Sequence, residues 1–317
     1  MDVPFDQEGF IPFKVPTVDK PCFTYYKIFG SLSEGKTPLV CLHAGPGHPH
    51  QLQLDFAELW PRYGQPVIFY DMVGFGQATH IDERAGDQDL WQMSMFTAEL
   101  ENVIRHFDLQ DGPGFDILGV SLGAFLALDF AVHQPKGLRR LVLGSPTGSF
   151  AAWAESMQAR KNELPPDLQH DITKACDTLH FQSDAWRKAW LVFNRRYICR
   201  ADPMPERMRK AMSENKPPNG VMLGLMGPCP LGTRPGSLRT WNVLPHLSNI
   251  SVNTFIWNGE FDVMNDHCVQ KVYECIASAR WYTFPRASHI ITLEGDKLRN
   301  DLIDKVGSFL AQPDVHE

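Results

Sequence analysis

The sequence predicts an α/β fold: a mostly parallel sheet with helices on both faces, interrupted by a helical insertion. Three observations predict it. Short apolar runs bounded by turn residues recur along the chain, as expected of strands buried on both faces. Helix-periodic segments alternate with them, which calls for right-handed crossovers between parallel strands. Near Pro146 the alternation stops, and it resumes only after about Asn242.

Phe23–Phe29 reads as an aromatic-rich strand. Leu39-Val40-Cys41-Leu42 is a strand that ends in a glycine-proline loop, and Val67-Ile68-Phe69-Tyr70 is one that ends at Asp71. Phe115-Asp116-Ile117-Leu118 and Leu138–Leu143 follow as strands. Between them the periodicity predicts helices over Gln51–Arg62, Thr97–Phe107 and Leu122–His133. Leu100, Val103, Ile104 and Phe107 keep the spacing of one helix face. From Pro146 to Asn242 the pattern is helical, rich in Trp and Met, with joints at Pro165-Pro166 and Pro217-Pro218. Then come two more strands, Thr254-Phe255-Ile256-Trp257 and Arg280–Phe284, and a last helix from about Asp296 to Leu310. The expected organisation is a core of residues 1–145 and 243–317 split by a cap of residues 146–242. Such a cap belongs over the C-terminal edge of the sheet, where ligands of open α/β folds bind.

The composition narrows the function. Of 317 residues, 43% are hydrophobic and 21% charged, an ordinary globular balance. Lys+Arg number 30 against 37 Asp+Glu, a net charge of −7. That acidity argues against a nucleic-acid partner. No apolar run approaches the ~20 residues of a membrane span. The start, Met1-Asp2-Val3-Pro4-Phe5-Asp6, lacks the basic and apolar regions of a secretion signal. Seven cysteines without framework spacing read as reduced thiols. The expectation is a cytoplasmic protein acting on a small molecule. The sequence is silent on its oligomeric state.

The strongest local signal is Gly119-Val120-Ser121-Leu122-Gly123, between a predicted strand and a predicted helix. This is the Gly-x-Ser-x-Gly nucleophile elbow in the context it requires. A serine hydroxyl needs a base to take its proton. Asp262 and His289 each follow a later predicted strand, in the chain order Ser, Asp, His. Asp266 competes with Asp262 on position, whereas His267 falls at a predicted helix start. The assignment is Ser121 as nucleophile, His289 as general base and then acid, and Asp262 as the orienting carboxylate. A second loop, His43-Ala44-Gly45-Pro46-Gly47, follows the Leu39–Leu42 strand. The backbone N–H of Leu122 and one from Ala44 or Gly45 are the candidate oxyanion donors. His48-Pro49-His50 lacks metal spacing, no Cys-x-x-Cys occurs, and no phosphate or dinucleotide loop appears. No metal or cofactor is therefore expected.

With these residues in view, the chain resembles the proline iminopeptidase family of α/β-hydrolases, which includes tricorn-interacting aminopeptidases and bacterial L-amino-acid amide hydrolases. The family's His-Gly-Gly-Pro-Gly is His43-Ala44-Gly45-Pro46-Gly47 here. Its Asp-Gln-x-Gly-x-Gly-x-Ser is similar to Asp71-Met72-Val73-Gly74-Phe75-Gly76-Gln77-Ala78. Arg195-Arg196-Tyr197-Ile198-Cys199-Arg200, Gly236–Trp241 and Trp257–Asp262 also resemble family segments. The resemblance implies the α/β-hydrolase fold and removal of an N-terminal residue or an amide group.

It also implies acidic side chains that hold the substrate's free amine. One lies in a Gly-Pro-Asn/Ser-Glu-Phe stretch, which here reads Gly227-Pro228-Cys229-Pro230-Leu231. Another follows the catalytic aspartate, where Val263 stands here. A buried ammonium without a carboxylate loses its pairing and is costly to desolvate. A drifted substrate is therefore expected, for example a modified peptide or polyketide of specialised metabolism. Trp186, Trp190, Phe193, Met222, Met226, Cys229 and Val263 are candidates for an apolar substrate pocket; cap core is the competing reading for each. The arginines 195, 196 and 200 either meet a substrate carboxylate or form structural pairs. The functional expectation is a serine hydrolase cleaving an amide, ester or thioester. The alternatives are an acyl transferase, cyclase or isomerase on the same residues, and a small-molecule binder without catalysis.

Overall fold

The computed structural model describes residues 3–45, 49–214 and 220–313. Eight strands form one sheet in the order β1-β2-β4-β3-β5-β6-β7-β8. They are β1 (Gln7–Phe13), β2 (Cys22–Phe29), β3 (Leu39–Leu42), β4 (Val67–Asp71), β5 (Phe115–Val120), β6 (Leu138–Gly144), β7 (Asn253–Gly259) and β8 (Ala279–Phe284). β2 pairs antiparallel with β1 and β4, and every pairing from β4 to β8 is parallel. β1 was not expected. Its Gly9 and Pro12 weaken a strand signal, and the edge position explains why Pro12 is tolerated there.

The continuous apolar runs are explained by burial on both faces. Val40, Leu42, Ile68, Tyr70 and Ile117 join one core cluster, with α2 (Met93–His106) and α3 (Leu122–Ala131). Their alternate neighbours Leu39, Cys41, Val67, Phe69 and Leu118 join the other, with α1 (Leu59–Tyr63) and the terminal helix Asp296–Leu310. One departure is local. Gln51–Arg62 is not one α-helix: a 3-10 stretch over His50–Glu58 precedes the short α1. Pro61 lacks the N–H that a continuous helix would need at that point, so it sits in the first turn of a new one.

Among the described residues, five α-helices lie between β6 and β7: α4 (Phe150–Asn162), α5 (Pro166–Thr178), α6 (Asp184–Tyr197), α7 (Glu206–Glu214) and α8 (Gly220–Leu225). α9 (Asp266–Tyr273) and α10 (Asp296–Leu310) complete the core. Among the described residues no helix is long and apolar enough to cross a membrane. All seven cysteines are free thiols.

A buried carboxyl on α2 has no basic partner among the described residues. Glu99, on α2, is fully buried and accepts hydrogen bonds from the Thr24 hydroxyl and from the Val73 N–H at 3.0 Å. Burial lifts its carboxyl to about 8, from 4.5. A carboxyl raised on folding contributes stability that is full below about 4.5 and is lost as pH rises through about 8. Glu99→Gln keeps an acceptor for Val73 and removes the ionisation. Thermal unfolding should show the variant close to the parent at about pH 4 and more stable, by about 3 °C or more, at about pH 9.

Candidate active site

The sheet order changes direction at β3, which lies between β4 and β5. Ligand clefts of open α/β sheets form at such switch points, beyond the C-terminal strand ends. Leu42 at the end of β3 is the register partner of Gly119 in β5, so the loops that follow these strands are neighbours. Ser121 stands between β5 and α3 with φ 55° and ψ −120°. An L-residue pays about 1–3 kcal/mol of strain there. Its N–H donates to the Gly144 carbonyl at 2.9 Å, and its carbonyl accepts from Ala124 N–H at 2.8 Å. A Cβ on Gly123 would lie 2.1 Å from the Leu42 carbonyl oxygen, so only glycine lets α3 start this close to β3. The hydroxyl thus sits at the positive end of α3, beside the Leu122 N–H, which has no acceptor within the helix.

Asp262 and His289 meet. The Nδ1 of His289 is 2.8 Å from Asp262 Oδ1. A carboxylate only accepts, so Nδ1 carries the proton and Nε2 keeps its lone pair. Asp262 is fully buried and its other partners are all donors. They are the Ser145 hydroxyl at 2.5 Å, Met264 N–H at 2.8 Å and Gly259 N–H at 3.3 Å. The two loops are zipped together: Phe261 N–H donates to the Ala287 carbonyl at 2.9 Å and Arg286 N–H to the Glu260 carboxylate at 2.7 Å. Asp266 is not the partner; it accepts from Asn258 at 2.8 Å instead.

Ser145 links the dyad to the elbow. It follows Gly144, the residue that accepts the Ser121 N–H, and itself adopts φ 51°. Its N–H donates to the Trp257 carbonyl at 2.7 Å, which holds the strained turn in place. Sequence reasoning missed Ser145. It follows a strand before a proline, an ordinary turn signal, and nothing local ties it to a carboxylate 117 residues away.

The loop after β3 is described as far as Gly45; Pro46, Gly47 and His48 of the predicted motif lie outside the described residues. His43 is fully buried, and burial lowers its pKa, so the ring is neutral. Its Nε2 accepts from Met72 N–H at 3.2 Å, so Nδ1 donates to the Ala44 carbonyl at 2.9 Å. In a trans peptide this turns the Gly45 N–H away from the held carbonyl. Gly45 packs on Leu122: a Cβ there would be 2.5 Å from Leu122 Cδ2. The far end of the loop is tied by His50, whose N–H and Nδ1 both reach Asp71 Oδ1, at 2.9 and 2.8 Å. Burial opposes ionisation of Asp71, but the His50 hydrogen bond and charge outweigh it and keep the carboxyl below its usual value.

Residues 39–300 match the alpha/beta hydrolase family. The chain belongs to that family. The hydrolase is 28% identical over 278 residues to the proline iminopeptidase of Lactiplantibacillus plantarum, covering 86% of this chain and 92% of that protein. It is 29% identical over 273 residues to the proline iminopeptidase of Lactobacillus helveticus, covering 86% and 89%. The resemblance read from the motifs is therefore borne out along most of the chain. Among solved structures, VinJ superposes with a TM-score of 0.86 at 28% identity, covering 96% of this chain and all of VinJ (100%). The proline iminopeptidase of Mycobacterium smegmatis superposes with a TM-score of 0.83 at 24% identity, covering 96% and 97%, which speaks to the fold.

In this hydrolase the aromatic candidates form a column along α6. Trp186 stacks on Trp190 with centroids 4.9 Å apart, and Trp190 on Phe193 at 4.9 Å. Phe193 meets Tyr197 edge-on at 5.1 Å. Phe193 and Cys229 are fully buried, Met226 and Val263 nearly so, and Met222 partly. The Val263 carbonyl accepts the Ser156 hydroxyl. The arginines are engaged within the protein. Arg195 lies 3.8 Å from Asp202, Arg196 donates to the Glu163 carbonyl at 3.2 Å, and Arg200 covers the Phe261 ring at 4.1 Å.

Ser145→Ala removes one of the donors to a buried carboxylate and should cost about 1–3 kcal/mol of unfolding free energy. Urea denaturation of the variant against the parent measures it.

Proposed function

We propose that this protein is a serine hydrolase working through an acyl-enzyme, with Ser121 as nucleophile, His289 as general base and Asp262 as the group that orients the imidazole. One observation carries the reading. A buried Asp262–His289 bond of 2.8 Å stands at the sheet edge where a serine is held at φ 55° on a strand-to-helix turn. His289 Nε2 takes the Ser121 proton as Oγ attacks the carbonyl. The tetrahedral oxyanion accepts from the N–H of Leu122 and from the loop at Ala44 and Gly45; one such donor is worth about 10²–10³ in rate. The imidazolium then protonates the leaving group, and water repeats the sequence on the acyl-enzyme. The helices α4 to α8 act as the cap over this edge.

The substrate is an amide, ester or thioester of a small apolar or peptide-like molecule. Its relatives are proline iminopeptidases. Yet three carboxylates adjoining the dyad are already engaged. Glu163 holds Arg160 at 3.0 Å and Tyr197 at 3.1 Å, Glu260 holds the Arg286 N–H at 2.7 Å, and Glu294 holds Ser288 and the Arg200 N–H at 2.7 Å. With Pro230 and Val263 at the two positions where the family carries acids, a free substrate amine finds no partner there. This favours an N-capped or amine-free substrate, such as a modified peptide or polyketide. A second reading, acyl transfer or cyclisation on the same residues, is favoured by occlusion: Ser121 is 6% and His289 9% exposed, which keeps water scarce at the acyl-enzyme.

A fluorophosphonate probe should label Ser121, and Ser121→Ala should abolish labelling and lower turnover by at least about 10³-fold. A parent protein that stays unlabelled would leave the binder without catalysis as the better description. In a panel of aminoacyl naphthylamides, N-capped substrates should turn over at least as fast as free-amine ones. Selective, fast release from free prolyl naphthylamide would sink the drifted-substrate argument. Product mass separates hydrolysis, which adds water, from transfer or cyclisation.

A further inference from the structure

We propose that Arg160, on α4, is a positioning residue for the acid–base pair, holding the Asp262 turn directly and the His289 loop through Tyr197, so that the pair is assembled only while α4 and α6 are seated on the core. The proposal rests on the serine-hydrolase reading above.

The guanidinium spends its three nitrogens at one place. Nε donates to the Asp262 carbonyl at 2.7 Å and Nη2 to the Glu260 carbonyl at 3.0 Å. Nη1 donates to the Glu163 carboxylate at 3.0 Å. The side chain is 11% exposed. One helical turn earlier, Ser156 donates its hydroxyl to the Val263 carbonyl and accepts from Asn265 N–H at 2.9 Å. α4 therefore grips consecutive carbonyls, 262 and 263, on the strip of backbone that presents the Asp262 carboxylate.

The other half of the pair is reached through Tyr197. Arg160 lies 5.3 Å from the centre of the Tyr197 ring, and the Tyr197 hydroxyl donates to Glu163 at 3.1 Å. The Tyr197 carbonyl accepts the His289 N–H at 3.3 Å, and the Ile198 carbonyl accepts the Ile290 N–H at 2.9 Å. α6 thus ends by pairing its last carbonyls with the backbone of the His289 loop. One cation ties the two inserted helices to each other and to both loops. The two carbonyls of the 260–262 turn need a rigid fork of donors, which a guanidinium supplies and an ammonium does not. Swinging α4 or α6 outward would break the backbone contacts that set the 2.8 Å Asp262–His289 bond. Substrate entry is therefore left to inserted segments that do not touch the pair.

The test uses the full chain and a fluorophosphonate probe, resolving the maximal labelling rate from the probe's apparent affinity. The parent must label at Ser121 and Ser121→Ala must not; failure there removes the serine-hydrolase reading and not this inference alone. Given labelling, Arg160→Met should lower the maximal rate by about 10–100-fold, as a misplacement near 1 Å does, with affinity changed less than about twofold. Arg160→Lys, which keeps one carbonyl contact, should recover part of the rate and stay below the parent. Lys271→Met is the control: it removes the 3.0 Å ion pair from α9 to Glu155 on the same helix α4 and should label at the parental rate. A folded Arg160→Met at the parental rate overturns the proposal. Should Arg160→Met fail to fold, Arg160→Lys at the full parental rate overturns it equally.

Discussion

A carboxylate taken fully out of water must be met by donors, and Asp262 imposes that demand on the whole C-terminal edge of the sheet. The donors come from four separate places: the end of β6 through Ser145, the end of β7 through Gly259, the following turn through Met264, and the loop after β8 through His289. Each constrains its own segment. Ser145 reaches the carboxylate from a left-handed backbone conformation, and the residue before it accepts the N–H of Ser121. The strained serine and the buried acid therefore belong to one hydrogen-bonded frame.

A second buried histidine–aspartate pair shows what the first one is spared. His50 and Asp71 stand at the same 2.8 Å separation, but His50 spends both its backbone N–H and its ring on one oxygen. Its ring also packs 5.5 Å from Tyr25 and 6.4 Å from Phe69. It is a fastener for the loop after β3, together with neutral His43 at the other end. At His289 only Nδ1 meets the acid, and the backbone N–H goes instead to the Tyr197 carbonyl at the end of α6. The same bond ties down a loop at His50 and, at His289, joins the loop after β8 to the Asp262 turn.

Among the helices between β6 and β7, α6 is stiffened by its own column of rings. Stacked rings run along α6 from Trp186 to Tyr197, and the last of them is braced by Arg160 and Arg196, whose guanidinium carbons lie 5.3 and 5.4 Å from its centre. Stacking of this kind contributes about 0.5–1.5 kcal/mol per pair beyond burial. Rigidity in α6 passes to the His289 loop, because the helix ends where that loop begins to pair with it.

Much of the architecture was legible in the chain itself. Apolar runs such as Leu39–Leu42 and Val67–Tyr70 name their strands because a strand buried on both faces has nowhere to place a polar residue. Gly119, Ser121 and Gly123 name the elbow because few sequences survive so tight a turn. Asp262 and His289 were legible by their place after strands. β1 escaped because Gly9 and Pro12 hide an edge strand, and the split of Gln51–Arg62 escaped because an amphipathic period does not register where a missing N–H falls. Ser145, Ser156, Arg160 and the carbonyls of Tyr197 and Ile198 were beyond reach for a different reason. Their importance lies in backbone groups and in partners 100 or more residues away, at Glu260 and Val263, and such pairings leave no mark in local pattern. The chain alone determined the fold and the residue types at its reactive edge. Only folding in three dimensions decided which of those residues are held, by what and how firmly, because hydrogen bonds between distant segments exist only once the sheet has brought their ends together.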